Sequence, residues 1–169
     1  MKNLKKKFLF LLTALILIAA ATGAFFYFGN REERLLRAMV GELEEMAAKR
    51  SGKSGIIALL DAATPERVFD KKVTISSDLP KVEREFTLKE LSQLLITMKK
   101  SCTSAALNVE IQNLSVNSGS AEITGGAVFS GSSSRSGSFR EVRDIRLLCT
   151  KIDGKWKISA VKIETVIKK

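Results

Sequence analysis

The chain has 169 residues, a formal charge of +10 and no histidine. That length holds one domain plus a short extra segment. Lys2, Lys5, Lys6 and Lys7 gather much of the positive charge ahead of residue 8, and no dense Lys/Arg stripe of the nucleic-acid-binding kind follows, so nucleic acid is not expected as a partner. The single tyrosine, Tyr27, lies in an apolar stretch, which leaves the rest of the chain without His- or Tyr-based acid–base chemistry.

Residues 8–28 form an uncharged apolar run. As a helix rising about 1.5 Å per residue it would span roughly 30 Å, the thickness of a bilayer's hydrocarbon core. The lysines before it, against the balanced Arg31-Glu32-Glu33-Arg34 after it, orient it with the N-terminus in the cytoplasm. The expected organisation is a cytoplasmic basic tail over residues 1–7, a transmembrane helix over residues 8–28 that anchors the chain in the membrane, and an exported domain over residues 31–169. This is a single-pass protein with its domain on the periplasmic or extracellular side. Ala21-Thr22-Gly23 also suits a signal peptidase, so a cleaved signal is the rival reading, although the apolar run continues through Phe28. Both readings export the domain. In an oxidising compartment the even pair Cys102 and Cys149 leaves two readings open, a disulfide or two buried thiols.

Beyond residue 30, Leu35, Leu36, Met39, Val40, Leu43, Met46 and Ala47 recur at helical spacing, which predicts a helix over residues 31–50. A second is predicted over residues 55–63, followed by Thr64-Pro65-Glu66 as the cap and first position of another turn. Val73 and Ile75 alternate in a short strand over residues 72–76. Thr87 with Glu90 makes a capping box, opening a third helix with Leu88, Leu91, Leu94, Leu95 and Met98 apolar and Lys99-Lys100 at its end.

From Ala105 the period becomes that of a strand. Leu107, Val109 and Ile111 alternate, the phase slips at Gln112-Asn113, and Leu114 and Val116 resume it, which predicts a β-bulge. Asn117-Ser118-Gly119 is a turn, and Ala121, Ile123, Ala127 and Phe129 form the next strand. Residues 131–137 read as a flexible low-complexity loop. Strands over residues 139–151 and 155–167 are joined by an Asp153-Gly154 hairpin. The last slips phase at Ala160-Val161. Helices followed by sequential strands predict an α+β fold, helices on a strongly curved antiparallel sheet that forms a cone.

Over residues 32–167 this order resembles the nuclear transport factor 2-like superfamily, also called the cystatin-like fold, as does the closing run Leu147-Leu148-Cys149-Thr150-Lys151-Ile152-Asp153-Gly154-Lys155-Trp156-Lys157-Ile158. The resemblance implies a cone-shaped fold shared by isomerases, dehydratases, ligand binders and structural modules, often paired through the sheet. The enzymatic members use Tyr, protonated Asp or a His–Asp pair. With no His and no Tyr after residue 27, the expectation is a member that is not an enzyme.

The remaining carboxylates have structural readings. Asp153 sits in a hairpin, Asp78 in a loop, and Asp61 and Asp70 at helix ends or turns. Asp144 stands in the alternating charges Glu141-Val142-Arg143-Asp144-Ile145-Arg146, which read as a solvated strand face. No residue pattern suggests a metal or a cofactor, and Trp156 is in phase with Ile158 as a core residue. The expected function is a membrane-anchored, non-catalytic interaction or assembly module of the cell envelope, its partners a second copy or other envelope proteins. The alternative is a binder of an apolar or lipid-like ligand in the cone, lined by Leu107, Ile123, Phe129 and Leu147.

Overall fold

A computed structural model describes residues 31–49, 64–78, 80–134 and 137–165. The chain divides into two units, Met1–Leu35 and Leu36–Lys169, and every strand described lies in the second. Residues 31–47 are helical (α1). Within the second unit, Leu36, Met39, Val40 and Met46 of α1 are buried in the core, with Leu43 packed against it, as the three- and four-residue spacing requires. The helix expected over residues 55–63 lies outside the described residues. Pro65–Arg67 forms one 3-10 turn, and the Thr64 side chain makes no cap bond to it.

Strands β1 (Phe69–Asp78) and β2 (Lys81–Thr87) pair antiparallel. β2 was not foreseen. Its burial pattern is almost wholly exposed and its charges hide the alternation of Val82, Arg84 and Phe86. Helix α2 (Leu88–Ser101) follows with the expected reciprocal cap: the Glu90 N–H donates to Thr87 Oγ1 at 3.3 Å and the Thr87 N–H to Glu90 Oε2 at 2.8 Å. Leu91 is buried, and Leu88 and Leu95 pack against the core.

Four long strands complete the sheet: β3 (Ser104–Asn117), β4 (Ser120–Ser133), β5 (Gly137–Ile152) and β6 (Lys155–Glu164). The order is β2-β1-β6-β5-β4-β3, with β1 and β6 parallel and the other neighbours antiparallel. The fold is therefore α+β, with helices on one curved sheet. Asp153 (φ 49°) and Gly154 (φ 75°) both take positive φ in the β5–β6 hairpin, the conformation that favours Asp-Gly there.

The ladder slips twice. Between Ile111 and Asn113 the partner strand advances by one residue only, from Gly125 to Thr124, so Gln112 is the extra residue of the expected bulge. On β6, Ile158 pairs with Cys149 and Ala160 with Leu148, which makes Ser159 the extra residue, just ahead of the predicted slip. Bulges bend a strand and increase its twist. Opposite the first bulge a Cβ on Gly125 would lie 2.1 Å from the Glu110 carbonyl oxygen, whereas one on Gly126 would meet nothing within 4 Å. A similar approach explains part of the expected loop. Gly131, Ser132 and Ser133 pair with Phe139, Ser138 and Gly137, and a Cβ at Gly131 would sit 2.3 Å from the Ser104 carbonyl oxygen. Small residues there serve strands in close contact, and only residues 134–136 lie between β4 and β5.

The free edge of β3 is covered by the end of α1 and the segment after it. The Lys49 N–H donates to the Ala105 carbonyl at 2.7 Å, and the Ala105 N–H to the Lys49 carbonyl at 3.1 Å. Glu44 Oε1 accepts from the Val109 N–H at 2.6 Å. Lys49 Nζ donates to the carbonyl oxygens of Lys99 and Cys102, joining the α2 terminus to the same corner.

Two expectations change here. Among the described residues no helix is long and apolar enough to cross a membrane, which goes against the single-pass topology and the localisation drawn from it. Residues 8–28, on which that topology rested, lie outside the described residues. Cys102 and Cys149 are both free and buried, and burial pushes the Cys149 thiol up to about 12.

Gly125→Ala is expected to destabilise the domain by about 1–3 kcal/mol through overpacking against backbone, with Gly126→Ala close to neutral; urea unfolding of both variants measures the difference. Titration with a thiol reagent should find both cysteines unreactive in the native protein and both reactive after denaturation, with or without prior reduction.

Candidate functional site

The sheet's inward face is the one on which Ile123, Leu147 and Ile158 are buried. Register carries that face across the strands in rows. One row holds Leu114, Ile123, Leu147, Val161 and Ile75, and the next Ile111, Gly125, Ile145, Ile163 and Ser77. Beyond these come Val109, Ala127 and Arg143, then Leu107, Phe129 and Glu141, then Ala105, Gly131 and Phe139. Burial changes along this series. Ile123 and Leu147 are each 1 % exposed and Val109, Ala127 and Ala105 are also buried, whereas Ile145, Ile163, Leu107, Phe129 and Phe139 are half-buried. Phe129 and Phe139 stack at a tilt, with ring centroids 5.2 Å apart.

The expected lining residues therefore divide. All four point inward, but Ile123 and Leu147 fill the core, and Leu107 and Phe129 belong to the half-open part. The charged run of β5 divides as well. Val142, Asp144, Arg146 and Leu148 face outward, where Asp144 lies opposite Gly126 and Glu164. Glu141 and Arg143 share the inward face with Ile145 and Leu147. Sequence reasoning placed the whole run on solvent. The parity of Leu147 and Cys149, counted back along β5, is the signal that separates its two halves.

Arg143 is the only charged side chain among the inward residues of β5's middle rows that is mostly covered: its side chain is 29 % exposed against 62 % for Glu141. One Nη of Arg143 donates to Glu141 Oε1 at 2.8 Å. Ala127 stands opposite Arg143 on β4, so no large side chain competes for that space. On the other side the parallel ends of β1 and β6 bring in Asp78. Its carboxylate accepts from the Thr165 N–H at 3.0 Å and the Thr165 hydroxyl at 3.2 Å. The Thr165 backbone bond, with smaller help from the hydroxyl and the Arg143 charge, holds Asp78 below the usual carboxylate range. Asp78 is thus a C-terminal clasp between β1 and β6 as well as a neighbour of Arg143, a role its loop position did not suggest.

Elsewhere the expected residues keep structural roles. Trp156 is buried, with Lys151 Nζ 5.6 Å from its ring centroid. Asp70 accepts from the Lys71 N–H. Asp61 lies outside the described residues. Among the described residues no three His, Cys, Asp or Glu side chains are grouped to hold a metal ion.

No family model matches the sequence, and no curated protein matches it. Solved structures do. A protein of Kribbella flavida superposes with a TM-score of 0.69 at 12% identity, over 83% of this chain and 95% of that one. A putative scytalone dehydratase of Novosphingobium aromaticivorans gives 0.65 at 11% identity, over 82% and 87%. A nuclear transport factor 2-like superfamily protein of Salmonella enterica gives 0.53 at 16% identity, over 68% and 87%. At these identities the likeness establishes the fold alone: the chain has the nuclear transport factor 2-like, or cystatin-like, fold. It also corrects the expectation that the chain is not an enzyme. A putative dehydratase shares this architecture, so the scarcity of His and Tyr does not separate the chain from enzymes of the fold. A membrane-anchored, non-catalytic status is not shown by these structures.

The Asp78 clasp has a depressed folded-state pKa, so its contribution is present above the unfolded value of about 4 and lost as pH falls through the lower folded value. A carboxyl-carbon NMR titration should give Asp78 a midpoint below that of a peptide aspartate. Thr165→Val should raise that midpoint only in part, because the backbone donor remains.

Proposed function

We propose that the domain binds a small apolar or lipid-like ligand against the open half of the inward face. One observation carries this reading: Leu107 and Ile145, packed against the core, and Phe129 and Ile163, which share their face by register, are apolar yet only half-buried. Half-buried apolar area beside a rigid core is surface that a ligand can still remove from water, at about 25 cal/mol per Å². In this reading Ile123 and Leu147 form the floor, and Leu107 and Phe129 the wall. The fold supports it only generally, since proteins of many activities share this architecture.

A neutral naphthylamine dye should bind the purified chain saturably, with enhanced fluorescence, and be displaced by a long-chain alcohol. Phe129→Ala should weaken the dye roughly tenfold, the effect of losing part of an aromatic contact. Leu148→Ser, on the outward face, should leave it unchanged. Absence of saturable binding, or equal loss in both variants, would overturn the reading.

A further inference from the structure

We propose that the ligand is an amphiphilic monocarboxylate whose head group pairs with Arg143, and that Glu141 is the internal carboxylate it displaces. The inference rests on the binding reading above and specifies its chemistry. Arg143 lies on the same face as Ile145 and Leu147, next to the half-buried Ile145 and across from Ala127. A guanidinium in that position loses hydration, and it is stabilised by a carboxylate that meets its N–H groups. Glu141 supplies one such bond from a side chain that is mostly in solvent. A partner that is itself 62 % exposed gives up little by moving back into water, because solvent-exposed ion pairs are weak. The covered guanidinium is the half of the pair that retains a need for an anion.

The charge balance selects among anions. Asp78, clasped by Thr165, already sets one negative charge near Arg143. A monoanion that replaces Glu141 preserves the local charge, whereas a phosphate dianion adds one beside Asp78. A planar carboxylate also matches the guanidinium fork. With the head group on Arg143, the body of the ligand runs toward Ile145 and Ile163 on one side and Phe129 on the other.

The test compares dodecanoate with dodecanol, which share a chain and differ in head group, by displacement of the neutral dye from the full chain. Wild type is expected to hold dodecanoate about tenfold more tightly than dodecanol, the scale of a charge-assisted hydrogen bond. Arg143→Gln should remove that preference and leave dodecanol affinity unchanged, which also reports that the variant is folded. Arg143→Lys should keep part of the preference, and Glu141→Gln should increase it. Equal affinity for the two compounds in wild type, or a preference that survives Arg143→Gln, would overturn the head-group assignment while the apolar site stands. Binding of neither compound would overturn both.

Discussion

At the middle of β4 the Glu110 carbonyl approaches so closely that a methyl group on Gly125 has no room. This contact and the extra residue at Gln112 are two sides of one bend. A flat sheet would present the inward residues of β3, β4 and β5 to α1 and α2 equally. In the bent sheet Ile123, Leu147, Val109 and Ala127 are buried in the core, and Phe129 and Arg143 on the same face stay partly exposed. Along β4 the inward residues stay buried from Ile123 at 1 % to Ala127 at 8 %, and Phe129 beyond them is half-buried.

Much of this is legible in the sequence. Local chemistry with a single geometric solution came through: the Thr87–Glu90 cap, the Asp153-Gly154 hairpin, and the phase slips of β3 and β6, each visible because alternation fails at one residue and resumes. What failed depended on partners distant in sequence. β2 is an edge strand with little to bury, so its charges concealed it. The serines and glycines of residues 131–137 looked like a linker because composition cannot reveal that Ser104 and Phe139 press against Gly131. The Glu141–Arg146 run looked solvated because averaging its charges hides parity. Half of it faces inward.

Arg143 draws these threads together. An arginine on the inward face of a strand carries a desolvation cost that a core of this kind does not need. Glu141 and Asp78 offset it, the first by a direct bond and the second by proximity. Because β1 and β6 run parallel, both end at this point, and Thr165 can fasten Asp78 beside a residue of β5. The same arrangement holds a cation and a carboxylate in a fixed frame at the end of the sheet.

The cover over β3 has a further effect. A sheet with open edges is a template on which other chains can add strands, and long, uncharged edges are the dangerous ones. Here the edge N–H groups of Ala105 and Val109 are occupied by the Lys49 carbonyl and the Glu44 carboxylate. At the opposite edge, β2 exposes Lys81, Glu83, Arg84 and Glu85, whose charges disfavour the stacking of like strands. One edge is partly closed by hydrogen bonds and the other carries charge, and both features disfavour the addition of a further strand.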